Sequence, residues 1–176
     1  KPEVLLSVPL TGVLRKDLDS GQASFVKFTR VVPDQYGSIL NQAGEPVAQT
    51  SYGEHSGEWA LWTDTTGDWK RILRETHPID VPKVLGLTAK GDALIIERAD
   101  DGITHFSAQP LAGGAATPVA MMEGGSPLFG MGRTVIGAEV ETSSGIRYSF
   151  FDADRQDLWD AIARAFPGEF VRLASW

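Results

Sequence analysis

The chain has 176 residues, of which 42% are hydrophobic and 22% charged, a composition typical of folded rather than disordered proteins. Its net charge of −7 argues against a nucleic-acid groove or an anionic membrane surface as partner, because both favour a basic stripe. The absence of cysteine excludes disulfides and thiolate chemistry, and no apolar run approaches the ~20 residues of a transmembrane helix. The compartment stays open between cytoplasm and bacterial periplasm.

Runs of alternating apolar and polar residues, the period of half-buried strands, occur in pairs along the chain. A turn rich in glycine or aspartate separates the members of each pair, and glycine accepts the positive φ that such turns require. The paired runs are residues 46–49 with 58–62, 94–97 with 103–106, and 134–141 with 146–150. Each pair predicts an antiparallel β-hairpin.

The turn glycines fall into three interleaved series with separations of 41 to 47 residues. The series are Gly57, Gly102 and Gly145; Gly44, Gly91 and Gly132; and Gly67 and Gly113. A period of this length is typical of a four-stranded propeller blade. It predicts two nearly complete units at 36–74 and 82–121 and a third at 126–151 that lacks its fourth strand. Residues 4–32 are predicted as the tail of an earlier unit, and 169–176 as the first strand of a later one.

The predicted fold is therefore all-β: a partial β-propeller of about two to three four-stranded antiparallel blades, forming a single domain over residues 1–176. One helix near 154–165 interrupts it, with Asp154 as N-cap and a stop at Pro167 and Gly168. Its expected apolar face consists of Leu158, Trp159, Ile162 and Phe166, with Asp160 and Arg164 paired on the other side. Open blades expose apolar faces and strand edges, so the isolated chain is predicted to self-associate or to cover its ends with residues 1–32 and the helix at 154–165.

The sequence contains no catalytic constellation. The G-x-S-x-G elbow is absent, and adjacent His55 and Ser56 point to opposite sides of an extended chain, so they are predicted to form a polar turn. His77 and His105 lack metal-ligand spacing and are assigned to a loop and a strand. We predict no catalytic, cofactor-binding or metal-binding residues and no cofactor.

Two other residue groups are given structural roles. The acidic residues Asp152, Asp154, Asp157 and Asp160 lack the pattern of a calcium loop, and they are assigned to capping and to the helix dipole. The five tryptophans, Trp59, Trp62, Trp69, Trp159 and Trp176, are assigned to packing, since Trp59 and Trp62 should face opposite sides of one strand. The paired glycines at 113–114 and 124–125 precede no predicted helix, so no phosphate loop is indicated.

Residues 148–159, 165–168 and 171–176 resemble the propeller of bacterial prolyl oligopeptidase family serine peptidases, the dipeptidyl or acylaminoacyl peptidase-like members. Residues 44–48, 57–62 and 85–92 fit the same pattern, so the similarity covers roughly 4–176. In that family the propeller precedes an α/β-hydrolase domain that carries the catalytic Ser, Asp and His. The resemblance implies that this chain ends inside the propeller, and no triad residue can be carried over.

The resemblance implies a non-catalytic propeller portion that gates or shapes the access of peptides to a hydrolase domain absent from this chain. Its partners would be that C-terminal domain and the peptide substrates of the parent enzyme, with no nucleic acid and no membrane. The alternative is a stand-alone propeller-like binding or scaffold module. A coding sequence that continues into a G-x-S-x-G hydrolase favours the first interpretation, whereas an early stop codon favours the second.

Overall fold

The computed structural model describes residues 3–8, 12–26, 34–64, 67–77, 79–100, 102–143 and 145–174. Within these residues the protein is mostly β, with 52% strand, four antiparallel sheets, one α-helix and no closed barrel. The prediction of an all-β fold with one helix is thereby confirmed. None of the helices in the described segments is long and apolar enough to cross a membrane.

The chain divides into two compact units, one formed by residues 1–79 and 111–113, the other by residues 80–110 and 114–176. The first unit contains a three-stranded and a four-stranded sheet, each with its strands in chain order. The three-stranded sheet comprises β1 (Glu3–Val8), β2 (Gly12–Asp17) and β3 (Ala23–Val26). The four-stranded sheet comprises β4 (Gln35–Leu40), β5 (Pro46–Gly53), β6 (Glu58–Asp64) and β7 (Trp69–Thr76).

The second unit repeats this pattern and adds the helix. Its four-stranded sheet comprises β8 (Lys83–Leu87), β9 (Ala93–Asp100), β10 (Ile103–Pro110) and the two-residue β11 (Thr117–Pro118). Its three-stranded sheet comprises β12 (Ser126–Phe129), β13 (Val135–Thr142) and β14 (Gly145–Phe150), followed by helix α1 (Ala153–Ala165). The three predicted hairpins correspond to β5–β6, β9–β10 and β13–β14.

The glycine series marks the turns, as predicted. All eight of its members have positive φ, between 64° and 122°, a region that side chains with a Cβ rarely adopt. The sheets also follow the predicted units: residues 36–74 and 82–121 correspond to the two four-stranded sheets, and 126–151 to a sheet without a fourth strand. Strands β1 to β3 agree with the predicted earlier unit at 4–32, although residues 9–11 and 27–32 of that prediction lie outside the described part of the chain.

In both units the inner strands bury runs of consecutive residues, such as 48–50 in β5, 94–96 in β9 and 135–138 in β13. In β6 the side chains of Trp59, Leu61 and Thr63 are buried, while the intervening residues are more variable. The second unit has two apolar clusters. One contains Leu85, Ile95, Phe106, Met122, Val135 and Ala138, and the other contains Ile136, Tyr148, Phe150 and Trp159. The second cluster joins helix α1 to β14.

Three details of the C-terminal region differ from the prediction. The N-cap is Asp152, not Asp154: Asp152 has an extended backbone, and its carboxylate accepts a 2.9 Å hydrogen bond from the backbone N–H of Arg155. Of the predicted apolar helix face, Trp159 is buried, whereas Leu158 and Phe166 are 53% and 54% exposed. The reason is that α1 packs along one strand, β14, which covers only a narrow stripe of the helix.

The predicted strand at 169–176 is not found in the described residues 169–174. These residues pack against a cluster of side chains and do not pair with the edge of a strand. Val171 and Leu173 pack against the cluster of Tyr148 and Trp159, and the backbone N–H of Leu173 donates to the Tyr148 hydroxyl over 3.3 Å. Residues 175–176, and with them the predicted packing role of Trp176, lie outside the described residues.

Candidate functional site

The turn with adjacent histidine and serine lies at residues 54–57, between β5 and β6. His55 and Ser56 are both exposed. The Ser56 hydroxyl donates to the carbonyl oxygen of Gly53 over 3.3 Å and accepts from the backbone N–H of Glu58 over 3.2 Å. These bonds are local to the turn, so the hydroxyl serves to close it.

The other two histidines have separate environments. The His77 ring Nε2 lies 2.8 Å from the Glu75 carboxylate, and its carbonyl oxygen accepts a 3.0 Å hydrogen bond from the Tyr52 hydroxyl. His105 lies in β10 and is exposed, with its Nδ1 4.0 Å from a Glu123 carboxylate oxygen. Within the described residues, no group of three or more His, Asp or Glu side chains is arranged to hold a metal ion.

The tryptophans of the first unit contribute to packing. Trp59 and Trp62 lie on opposite faces of β6, and Trp62 donates from Nε1 to the Ser51 hydroxyl over 3.2 Å. Trp69 is buried at the start of β7. The indole Nε1 of Trp59 is fully buried and has no hydrogen-bond acceptor within the described structure. The ring pair on this sheet is formed by tyrosines: Tyr36 and Tyr52 lie 6.1 Å apart between centroids and are tilted by 60°.

A groove of about 520 Å³ lies in the second unit, between β14 and helix α1. One wall is the β13–β14 hairpin, through residues 142 and 145–149, and the other is Gln156, Trp159 and Asp160 of the helix. The groove therefore follows the outer edge of β14, which is the last strand of its sheet. This is the position at which the four-stranded sheets have their fourth strand.

The pairing of β14 with β13 determines which backbone groups face the groove. Phe151 donates from its backbone N–H to the carbonyl oxygen of Ile136 over 3.0 Å, in register with the β13–β14 ladder. Hydrogen-bonded pairs alternate along antiparallel strands, so Arg147 and Ser149 direct their N–H and C=O groups toward β13. Ile146, Tyr148 and Phe150 direct theirs outward, along the free edge.

Gln156 occupies part of this free edge. Its side-chain Oε1 accepts a 2.9 Å hydrogen bond from the backbone N–H of Phe150, and its Nε2 lies 3.5 Å from the carbonyl oxygen of Tyr148. The same Nε2 donates to the Asp160 carboxylate over 2.9 Å, which fixes the amide orientation. A side-chain amide has the same donor and acceptor as a peptide group. Gln156 thus takes the place of one peptide group of a neighbouring strand.

Aromatic packing holds the helix over this edge. The rings of Tyr148 and Trp159 are 4.6 Å apart between centroids and meet edge to face, and Phe150 lies 6.5 Å from Trp159. Such pairs contribute about 0.5–1.5 kcal/mol beyond the burial of their area. Because Trp159 anchors the helix here, Gln156, which lies one helical turn earlier, is placed at the Phe150 end of the β14 edge.

The packing role of Trp159 was expected from the sequence, whereas Gln156 and the groove were not. The available signal was the missing fourth strand of the unit at 126–151, which leaves one edge without a strand partner. That signal identifies the edge, but the Gln156 contact depends on how the helix packs. Comparisons of the chain with models of protein families, with curated proteins and with solved structures found no match.

Proposed function

We propose that this chain is a non-catalytic part of a β-propeller from a prolyl oligopeptidase family serine peptidase. In this role it gates or shapes the access of peptides to a hydrolase domain encoded outside the present sequence. The sheets at residues 35–76 and 83–118 represent blades in this proposal, and the sheet at 126–150 represents a blade whose fourth strand is missing.

The observation that supports the proposal best is the regular order of the sheets. Four consecutive antiparallel sheets, each with its strands in chain order, follow one another along the sequence. Glycines with positive φ recur at corresponding turns of these sheets. Repetition of small antiparallel sheets is typical of a propeller, in which each blade covers a face of the next. The choice of peptidase family comes from the sequence resemblance of residues 148–176.

The complete coding sequence tests this proposal. We expect it to continue into an α/β-hydrolase domain with a G-x-S-x-G elbow and later Asp and His residues. The purified full-length protein should cleave short aminoacyl or peptidyl chromogenic substrates, while the 176-residue chain alone should not. A coding sequence without a hydrolase domain, or turnover by the isolated chain that a serine-directed inhibitor blocks, would contradict the proposal.

A second candidate function is a stand-alone binding or scaffold module. The groove along β14 favours it, because an open strand edge beside an aromatic anchor is a common way to bind an extended peptide. A stop codon shortly after the present sequence, with binding activity retained by the chain alone, supports this candidate. A downstream hydrolase domain in the same coding sequence would favour the first.

A further inference from the structure

We propose that the groove between β14 and α1 binds an extended peptide, which adds to the sheet as an antiparallel fourth strand. The peptide would pair with the outward N–H of Tyr148 and with both outward groups of Ile146, because Gln156 already approaches the Tyr148 carbonyl oxygen. Its preferred sequence has an acidic residue opposite Arg147, with apolar residues on both sides of it. The inference specifies a ligand for the second candidate function and does not depend on the peptidase assignment.

The outer edge of β14 has backbone groups that a peptide can pair with. Gln156 occupies the outward N–H of Phe150 and approaches the carbonyl oxygen of Tyr148, so that end of the edge is already capped. The outward N–H of Tyr148 and both outward groups of Ile146 face the groove. No strand within the described residues pairs with them. A peptide can form main-chain hydrogen bonds here as the next strand of a sheet does.

The contacts of Gln156 indicate the chemistry of the occupant. The edge is capped by an amide that presents a C=O and an NH₂ to the strand, the same groups that a peptide would present. In the four-stranded sheet at residues 35–76, β7 occupies the corresponding edge and pairs along the whole of β6. The groove thus fits a peptide backbone in both position and hydrogen-bonding pattern.

The side chains along β14 indicate which residues the peptide would carry. Arg147 is exposed, and no ion-pair partner for it is found among the described residues. Because paired residues share a face, the residue opposite Arg147 can bring an acidic side chain to its guanidinium. The neighbouring peptide residues share the face of Ile146 and Tyr148, which pack with Trp159 in one apolar cluster. Apolar side chains suit those positions.

A second copy of this chain fits the groove less well than a peptide. Antiparallel pairing of two β14 strands in which Ile146 bonds to Tyr148 would place two Arg147 side chains directly opposite each other. Like charges at directly opposed positions destabilise a strand pair. Helix α1 also forms one wall of each groove, and two copies would have to accommodate both helices at one edge.

The test uses the whole chain labelled with ¹⁵N and a synthetic pentapeptide, blocked at both ends, of threonine, valine, glutamate, valine and threonine. Two matched peptides serve as controls: one has both valine nitrogens methylated, and the other has lysine in place of glutamate. Backbone methylation removes the donors that would reach β14 but keeps every side chain. The protein variant is Arg147→Glu, with its thermal unfolding measured to check the fold.

We expect amide shift changes concentrated at residues 145–149 and at the Trp159 indole. The methylated peptide should bind about fivefold more weakly, because it loses the hydrogen bond to the Ile146 carbonyl oxygen. Arg147→Glu should reverse the preference between the glutamate and lysine peptides without lowering the melting temperature. Equal binding of the methylated peptide, shifts elsewhere on the chain, or no shifts at millimolar peptide would each overturn the inference. Such a failure would leave the peptidase proposal intact, because the coding sequence tests that separately.

Discussion

Different elements cover the outer edge of the third strand in two of the sheets, the one at residues 35–76 and the one at 126–150. In the first, β7 pairs with β6 from Glu58 to Asp64, and Arg74 forms an ion pair with Glu58 across the two strands. In the second, the corresponding edge belongs to β14, and a helix packs beside it. The same hairpin design is therefore compatible with two kinds of neighbour.

A neighbouring strand and a neighbouring helix differ in how many backbone hydrogen-bonding groups of the edge they pair with. A strand supplies donors and acceptors at every second residue, so it protects the whole edge. Helix α1 supplies one side-chain amide, that of Gln156, which reaches only the end of β14 at Tyr148 and Phe150. The rest of the edge, toward Gly145, stays open to the groove. Three substitutions and one exchange measurement test this difference between the two edges.

The largest effect is expected from removing the anchor of the helix. Trp159 is 8% exposed and packs against Tyr148 and Phe150, so Trp159→Ala should lower the free energy of unfolding of the second unit by about 3–5 kcal/mol. Denaturant titration followed by circular dichroism measures the loss. The control is Leu158→Ala, whose side chain is 53% exposed, and a similar loss there would contradict the proposed anchor.

A smaller effect is expected from removing the amide cap. Gln156→Ala leaves the part-buried N–H of Phe150 without its acceptor, which should cost about 1–2 kcal/mol. The control is Asp157→Ala, an exposed position on the next residue of the same helix, with an expected change within about 0.5 kcal/mol. The same titration compares the two variants. If they lose equal stability, the Gln156 amide does not cap the edge.

The helix N-cap provides the smallest effect. Asp152→Ala removes the hydrogen bond to the N–H of Arg155 and should cost about 1 kcal/mol. Asp154→Ala removes only a first-turn charge, worth a few tenths of a kcal/mol at an exposed position. Thermal unfolding of both variants under identical conditions decides between the two residues. A larger loss for Asp154→Ala would restore the cap expected from the sequence.

The hairpins and turns were predictable because their signals are local. Alternation of apolar residues in 134–141 and 146–150 depends only on the two-residue period of a strand. The positive φ of a turn glycine such as Gly102 likewise depends on its own backbone. The hairpins and turns therefore lie where predicted, although β9 and β10 extend to Ala93–Asp100 and Ile103–Pro110, and the buried residues 135–138 of β13 do not alternate with exposed ones.

Features that depend on a neighbour were harder to predict. Asp152 and Asp154 are chemically equal as caps, and the exact start of the helix, set by the end of β14, decides between them. The alternation near 169–174 resembles a strand, yet Val171 and Leu173 pack on a side-chain cluster and find no strand partner in the described structure. The role of Gln156 likewise appears only once the helix is packed against β14.

The most direct test of the contrast is amide hydrogen exchange, resolved by residue, along β14 and β6. The N–H groups of Arg147 and Ser149 should exchange slowly because they face β13, and that of Phe150 should be slow because Gln156 accepts from it. Those of Ile146 and Tyr148 should exchange fast, whereas successive amides in the middle of β6 should all be slow. Slow exchange at Ile146 and Tyr148, equal to that at Arg147 and Ser149, would contradict an open edge on β14.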